Sequence, residues 1–270
     1  MFDLTAKVAV VTGGTGALGA AFARGLAQAG AYVALLARRP EPLAALGAEL
    51  RASGGQALGI SADVLDKAQL SAAAAQIAAE FGRVDILVNA AGGNQPQATV
   101  TPNERTFFDL PAEALTGVLN LNWLGSVLAA QVFGRYMAAQ GNGAIINISS
   151  MAAMRPLTRV VAYASAKAAL DNFTRWLAVY MAREHSPNIR VNAIAPGFLL
   201  GAQNRFLLIE PESGTLTERG RQIIAHTPMG RFGAPEDLIG ALIWLASDAA
   251  RFVTGIVVPV DGGFSAYSGV

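Results

Sequence analysis

A tyrosine and a lysine stand four residues apart in Tyr163-Ala-Ser-Ala-Lys167, within a helix-forming run. On a helix that spacing puts both side chains on one face, one turn apart. A free phenol has a pKa of about 10 and is a poor base at neutral pH. A neighbouring ammonium favours the phenolate and brings the group toward the range where general acid–base catalysis is most effective. Ser150, thirteen residues before the tyrosine at the end of an expected strand, could hydrogen-bond the same reacting oxygen. A Tyr and a Lys at this spacing also occur on ordinary half-exposed helices, so the pair carries chemistry only if the rest of the chain builds a site around it.

Composition narrows the choices. The chain has 270 residues, a formal net charge of +1, 53% hydrophobic and 14% charged residues. So neutral a balance argues against nucleic acid or an anionic membrane as partner. With no cysteine, disulfides, thiolate catalysis and Cys-ligated metals are excluded, and two histidines, His185 and His226, cannot build a multi-histidine metal site, so no metal is expected. The N-terminal MFDLTAKVAVVT does not read as a signal peptide, and no apolar run approaches the roughly 20 residues of a membrane span. A cytoplasmic location is the expectation.

The elements that would position the pair follow a strand–helix alternation. Lys7–Thr12 reads as a buried strand, Gly13–Gly19 as a glycine turn, Ala20–Ala29 as a helix and Tyr32–Ala37 as a second strand. Gly14, Gly16 and Gly19 satisfy G-x-G-x-x-G in that setting, where glycines permit a tight turn and close approach of backbone N–H groups to a pyrophosphate. At the end of the second strand, where an acid would hold the ribose hydroxyls of NAD, stand Ala37, Arg38 and Arg39. Two guanidiniums without a carboxylate favour NADP(H) over NAD(H). Further helices are expected at Leu43–Ala52, Ala68–Phe81, Ala112–Ala139, Ala162–His185 and Pro235–Ala246, and strands at Gln56–Ser61, Val84–Val88, Ala144–Ser149, Arg190–Ala195 and Ile256–Val260. Asp63 could accept from the adenine amino group, whereas Asn89 is better suited to tying strands together. Residues 93–111 and 198–231 read as substrate loops, the latter with short helices near Glu218–Ala225. No linker or repeat divides the chain, so one α/β domain is expected over 1–270: a doubly wound, seven-stranded parallel sheet in a three-layer αβα arrangement.

Taken together, the motifs resemble the short-chain dehydrogenase/reductase family from Lys7 to Gly263. They are T-G-x-x-x-x-x-G at Thr12–Gly19, N-A-A-G at Asn89–Gly92, N-x-x-G at Asn122–Gly125, the Ser150/Tyr163/Lys167 spacing, Pro196-Gly197 and Val260-Asp-Gly-Gly263. The resemblance implies a Rossmann-fold oxidoreductase with Tyr163 as acid/base and Ser150 orienting the substrate oxygen. Lys167 would lower the tyrosine pKa and hold the nicotinamide ribose, and Asn122 would support a water leading protons to it. It further implies cofactor contacts from Gly13, Thr15, Gly16, Leu18, Gly19, Arg38, Asp63, Val64, Asn89, Ala91, Gly92, Tyr163, Lys167, Pro196 and Gly197. In two places the chain departs from the pattern. Ala17 stands where the middle glycine is usual, and Gly201 stands where a threonine often contacts the carboxamide, leaving that contact to a neighbour such as Gln203.

Within the family, the stretches 91–96, 154–159, 203–207, 225–230 and 261–267 resemble a bacterial group described as D-mannonate oxidoreductases (fructuronate reductases). The loops expected to border the substrate hold Asn94, Gln95, Arg105, Arg155, Thr158, Arg159, Gln203, Asn204, Arg205 and His226. A polyhydroxylated carboxylate needs such donors and a guanidinium, whereas a lipid pocket would be apolar. Asn94, Arg155, Arg159 and Arg205 are the candidate substrate contacts, with Arg155 or Arg159 ahead of Arg205. A gluconate 5-dehydrogenase or a 3-oxoacyl reductase is the rival within the family, and a non-catalytic dinucleotide-binding scaffold the rival outside it. Trp123, Trp176 and Trp244 read as core or subunit contacts. The apolar runs Leu115–Met137 and Asn172–Met181 could pack across two-fold axes of a homotetramer or homodimer.

Overall fold

The computed structural model describes residues 1–101, 103–201 and 205–269; Gln203 and Asn204 lie outside them. Seven strands, β1 (Val8–Thr12), β2 (Tyr32–Ala37), β3 (Ala57–Ser61), β4 (Ile86–Asn89), β5 (Gly143–Ile148), β6 (Ile189–Pro196) and β7 (Val257–Val260), form one parallel sheet in the order β3-β2-β1-β4-β5-β6-β7. Order reverses at β1, which pairs with β2 on one side and β4 on the other.

Side-chain alternation along each strand divides the core into two layers. Val8 and Val10 face α3 (Lys67–Phe81), α5 (Gly125–Gln140) and α6 (Val161–Glu184), where Leu70, Ile77, Phe133, Met137, Leu177 and Met181 are buried. Ala9 and Val11 face α1 (Ala17–Gln28), α2 (Pro40–Ala52) and α9 (Ile239–Ala246), where Phe22, Leu26, Leu43, Leu50, Leu242 and Leu245 are buried. Helices on both faces keep water from the inner strands β1, β4, β5 and β6, which is why these read as largely apolar runs, whereas the edge strands β3 and β7 are partly exposed.

Some element expectations need correction. The helix expected over 112–139 is α4 (Ala112–Leu119), a π turn (Asn120–Leu124) and α5. Helix α1 starts at Ala17, so the glycine loop is shorter than expected. Pro235–Leu238 is a 3-10 turn ahead of α9, and residues 93–111 contain two 3-10 turns, Pro96–Ala98 and Phe107–Asp109. The 198–231 segment carries α7 (Arg205–Leu208) and α8 (Glu218–Ala225). Among the described residues no helix is long and apolar enough to cross a membrane.

Candidate active site

The carboxyl ends of β1, β4, β5 and β6 meet on one edge of the sheet, on either side of the order reversal, where open α/β sheets offer a crevice. Thr12, the last residue of β1, closes the seam between β1 and β4: its hydroxyl donates to the Val88 carbonyl (3.4 Å) and accepts from the Ala91 N–H (3.2 Å). Gly13 follows at φ +64°, and a Cβ there would lie 2.8 Å from the Ala91 backbone. The turn then passes Thr15 and the exposed Gly16 into α1, where Gly19 packs against the Gly13 carbonyl too closely for any side chain.

Ser150 leaves the end of β5 and caps a 3-10 turn (Met151–Ala153), its Oγ accepting from the Ala152 N–H at 3.1 Å. With the oxygen so held, the hydroxyl proton is left to donate elsewhere. Tyr163 lies in the first turn of α6, and Lys167 one turn on, its Nζ 5.6 Å from the phenol ring centre. Lys167 Nζ donates to the Ile148 carbonyl at 2.7 Å. The π turn brings in Asn122, fully buried: its Nδ2 donates to the carbonyls of Gly93 (2.7 Å) and Val118 (2.8 Å), and its Oδ1 accepts from the Gly93 N–H (3.0 Å). An extra residue in a helical turn re-aims side chains, and such turns gather at functional sites. Gly92 lies between these groups; a Cβ on it would come within 2.7 Å of Asn122 Oδ1 and 3.3 Å of Lys167 Nζ.

Burial governs the charges. It pushes the Tyr163 phenol up, and the Ser150 hydroxyl opposes that shift. Burial also lowers Lys167, to about 8, with Asp171 opposing. Asp171, a further turn along α6, is 5% exposed and is itself pushed up by burial, opposed by Ser149, Arg175 and Lys167. Neither Ser149 Oγ nor Asp171 Oδ1 reaches hydrogen-bond geometry with a partner, so this acid beneath the lysine is incompletely satisfied. Its i+4 spacing from Lys167 is visible in the sequence, but its burial beneath the lysine is not.

The other expected contacts are distributed around this centre. Asn89 ties β4 to β5 through Asn147 Oδ1 (2.8 Å). Arg38 is exposed at the end of β2, its carbonyl held by the Ser61 hydroxyl. Asp63 Oδ1 accepts from the Leu65 N–H, and Val64 packs on Gly125. Leu18 is half-buried in the core behind the glycine turn. Pro196 ends β6; Gly197 donates to the Val260 carbonyl at 3.0 Å and has no room for a Cβ beside Asp261. Asn94 donates to the Thr99 hydroxyl and is exposed. Arg155 donates twice to the Ser265 carbonyl, through Nη2 (2.9 Å) and Nε (3.1 Å). Arg159 is half-buried with its carbonyl bonded to the Val100 N–H, and Arg205 is exposed on α7. His226 faces Phe264 and Tyr267, both at 6.4 Å. Trp123 and Trp176 are 38% and 58% exposed, so neither belongs to this chain's core.

Residues 14–265 match the family model described as Enoyl-(Acyl carrier protein) reductase, a short-chain dehydrogenase/reductase model. The chain is a short-chain dehydrogenase/reductase. It is 50% identical to the uncharacterized oxidoreductase UxuB of Bacillus subtilis, with 99% of this chain and 98% of that protein covered. A Haemophilus influenzae structure with bound NAD, provisionally named a D-mannonate oxidoreductase, superposes with a TM-score of 0.93 at 45% identity, covering 99% of this chain and 98% of the other. A Beutenbergia cavernae structure with NADP at low occupancy, provisionally named an NAD(P)-dependent gluconate 5-dehydrogenase, matches at TM-score 0.84 and 35% identity over 98% and 99% of the two chains. This short-chain dehydrogenase/reductase is thus an NAD(P)-dependent oxidoreductase. The residues present suit the dinucleotide: the positive-φ turn at Gly13, the exposed Gly16 at the start of α1 and the side-chain-free Gly92 leave backbone open to close approach.

Proposed function

We propose that the chain interconverts a keto and a hydroxy group of a sugar acid, D-fructuronate and D-mannonate foremost, with Tyr163 as the acid/base. The carrying observation is the convergence of the Ser150 hydroxyl, the Tyr163 phenol and the buried Lys167 ammonium at the strand ends. A bound nicotinamide would supply or accept the hydride. In reduction Tyr163 gives its phenolic proton to the carbonyl oxygen, becoming a phenolate, while Ser150 donates a hydrogen bond to the same oxygen. Lys167 stabilises that phenolate, and Asn122 keeps the lysine's surroundings in register through Gly93. Oxidation of the alcohol runs the same transfers backwards. The names given to the Haemophilus and Beutenbergia proteins support a sugar-acid substrate.

Arg38 and Arg39, exposed at the end of β2 with no acid there, favour NADP(H), as the sequence suggests. The reading includes self-association: Trp176, Val179 and Tyr180 are exposed along α6, Trp176 stacked on Tyr180 at 5.1 Å, and a second copy would cover them. Sedimentation of the purified chain tests that part.

The deciding experiment measures initial rates of reduced-cofactor oxidation with D-fructuronate, using NADPH and NADH in parallel. Turnover with both substrate and cofactor saturable supports the reading, and faster NADPH use supports Arg38 as the phosphate contact. No turnover of fructuronate alongside turnover of 5-keto-gluconate would transfer the site to gluconate chemistry. Binding of dinucleotide without turnover of any carbonyl would falsify the catalytic reading.

A further inference from the structure

Between Ser150 and Tyr163, the two groups proposed to meet the reacting oxygen, the chain runs from Met154 to Val160 without helix or strand. Their relative placing therefore depends on what holds this stretch. Its first residues close the turn that Ser150 begins. The Ala153 N–H donates to the Ser150 carbonyl (3.0 Å), and the N–H groups of Met154 (3.0 Å) and Arg155 (2.9 Å) both donate to the Met151 carbonyl. At its far end the Val160 carbonyl accepts from the Ala164 N–H of α6. Apart from these, two hydrogen-bonded tethers leave the stretch among the described residues. One is the Arg159 carbonyl, which accepts from the Val100 N–H (2.9 Å) in the loop after β4. The other is the Arg155 guanidinium on the Ser265 carbonyl, through Nη2 (2.9 Å) and Nε (3.1 Å).

Ser265 is itself fixed. Asp261, directly after β7, accepts from the Gly263 N–H (2.9 Å) with one carboxylate oxygen and from the Ser265 N–H (2.8 Å) with the other. This turn is bound in turn to its surroundings: the Met229 N–H donates to the Gly262 carbonyl (3.1 Å), and the Phe264 ring meets Phe198 at 5.2 Å. A line of hydrogen bonds thus runs from the turn that carries Ser150, through Arg155 and Ser265, to Asp261 at the end of the sheet. Two N–H donors of one planar guanidinium converging on one carbonyl set direction as well as distance.

We propose that Arg155 is a positioning residue for Ser150. By anchoring the serine's turn to Ser265 it keeps the hydroxyl where it donates to the reacting oxygen, and it makes the turn 261–265 part of the catalytic framework. The proposal rests on the reading of Ser150 as that donor.

The test is a double-mutant cycle on initial rates with D-fructuronate, comparing wild type, Arg155→Ala, Arg155→Lys, Ser150→Ala and the Ser150→Ala/Arg155→Ala double variant. Arg155 is exposed, so its replacement leaves the core packing intact. Arg155→Ala is expected to lower kcat about 10- to 100-fold, the scale on which a misplacement of about 1 Å is felt, with the cofactor KM unchanged. Lysine restores one donor and is expected to recover part of the loss. On the Ser150→Ala background the same replacement should change kcat by less than about twofold, because the group it positions is gone. An unchanged kcat in Arg155→Ala overturns the proposal, as does a loss that persists in full on the Ser150→Ala background. A loss confined to the KM for fructuronate, as a direct contact with the substrate carboxylate would give, also overturns it.

If fructuronate is not turned over, 5-keto-gluconate serves the same cycle. If neither is turned over, or Ser150→Ala keeps full turnover, the reading of the site fails separately. Hydrogen-exchange mass spectrometry of the peptide spanning residues 150–155 then decides whether Arg155 holds the serine. Faster exchange there in Arg155→Ala, with β1 unchanged, sustains the anchor; equal exchange overturns it.

Discussion

Lys167 must be charged to stabilise a phenolate, and its surroundings work against the charge. Burial lowers it to about 8 from an ordinary 10.5, with Asp171 pulling the other way. Between those values the unfolded chain binds the proton that the folded chain has released, so this lysine's contribution to stability rises with pH across that window. Activity that needs the ammonium moves oppositely. A fall in kcat is expected as pH rises through about 8, and Asp171→Asn, by removing the opposing acid, should move that fall to lower pH. A pH–rate profile of the two proteins checks this; an unmoved limb would detach Asp171 from the lysine. Tyr163→Phe should lose about 10²- to 10⁴-fold in kcat, the typical contribution of a positioned proton donor. Fluorescence titration should find dinucleotide binding retained in that variant, and full turnover would sink the proton-transfer role.

At the scale of elements, the π turn is the part that aims the site. Asn122 binds both backbone groups of Gly93 and so joins the α4–α5 rod to the loop after β4. Asn122→Ala removes three side-chain hydrogen bonds from a buried position and should cost about 1–3 kcal/mol, read from denaturant unfolding, with a larger proportional loss of kcat than Asn94→Ala. The strands were legible because burial on both faces demands uninterrupted apolar runs such as Val8–Val11 and Ile145–Ile146. The glycine turn and the Tyr163–Lys167 pair were legible because each depends on local spacing. The π turn was not: Asn120–Leu124 continues the helical periodicity, and the Asn122 bonds to Gly93 that accompany the turn form only in the folded chain. Arg155 drew attention by its position between Ser150 and Tyr163, but only the folded chain brings Ser265 to it.

Across the whole molecule, the two ends of the sheet divide the work. Opposite the candidate site, Asp85 accepts from the Val8 N–H (2.9 Å) and pairs with Arg83 (2.6 Å), locking β1 to β4 from below at 3% exposure. Asp85→Ala should destabilise the fold by about 1–3 kcal/mol, chiefly because the buried Val8 N–H loses its partner while the half-exposed Arg83 guanidinium regains water. The kcat measured below the unfolding transition should stay within a few-fold of wild type; a loss of activity matching that of Tyr163→Phe would contradict this division. The seam that Asp85 locks joins residues 77 positions apart in the chain, so closing it is a long-range step, and such steps are slow. Thr12 reaches Ala91, and Gly13 presses against it, only when the seam is shut. A dinucleotide seated there therefore binds no species in which β1 and β4 have parted. At a hundred times its Kd it would favour the closed chain by about 2.7 kcal/mol, on the order of a hundredfold fewer openings for a protease to exploit. Where degradation follows such openings, the dinucleotide level in a cell would govern how long each molecule of the enzyme survives as well as how fast it works.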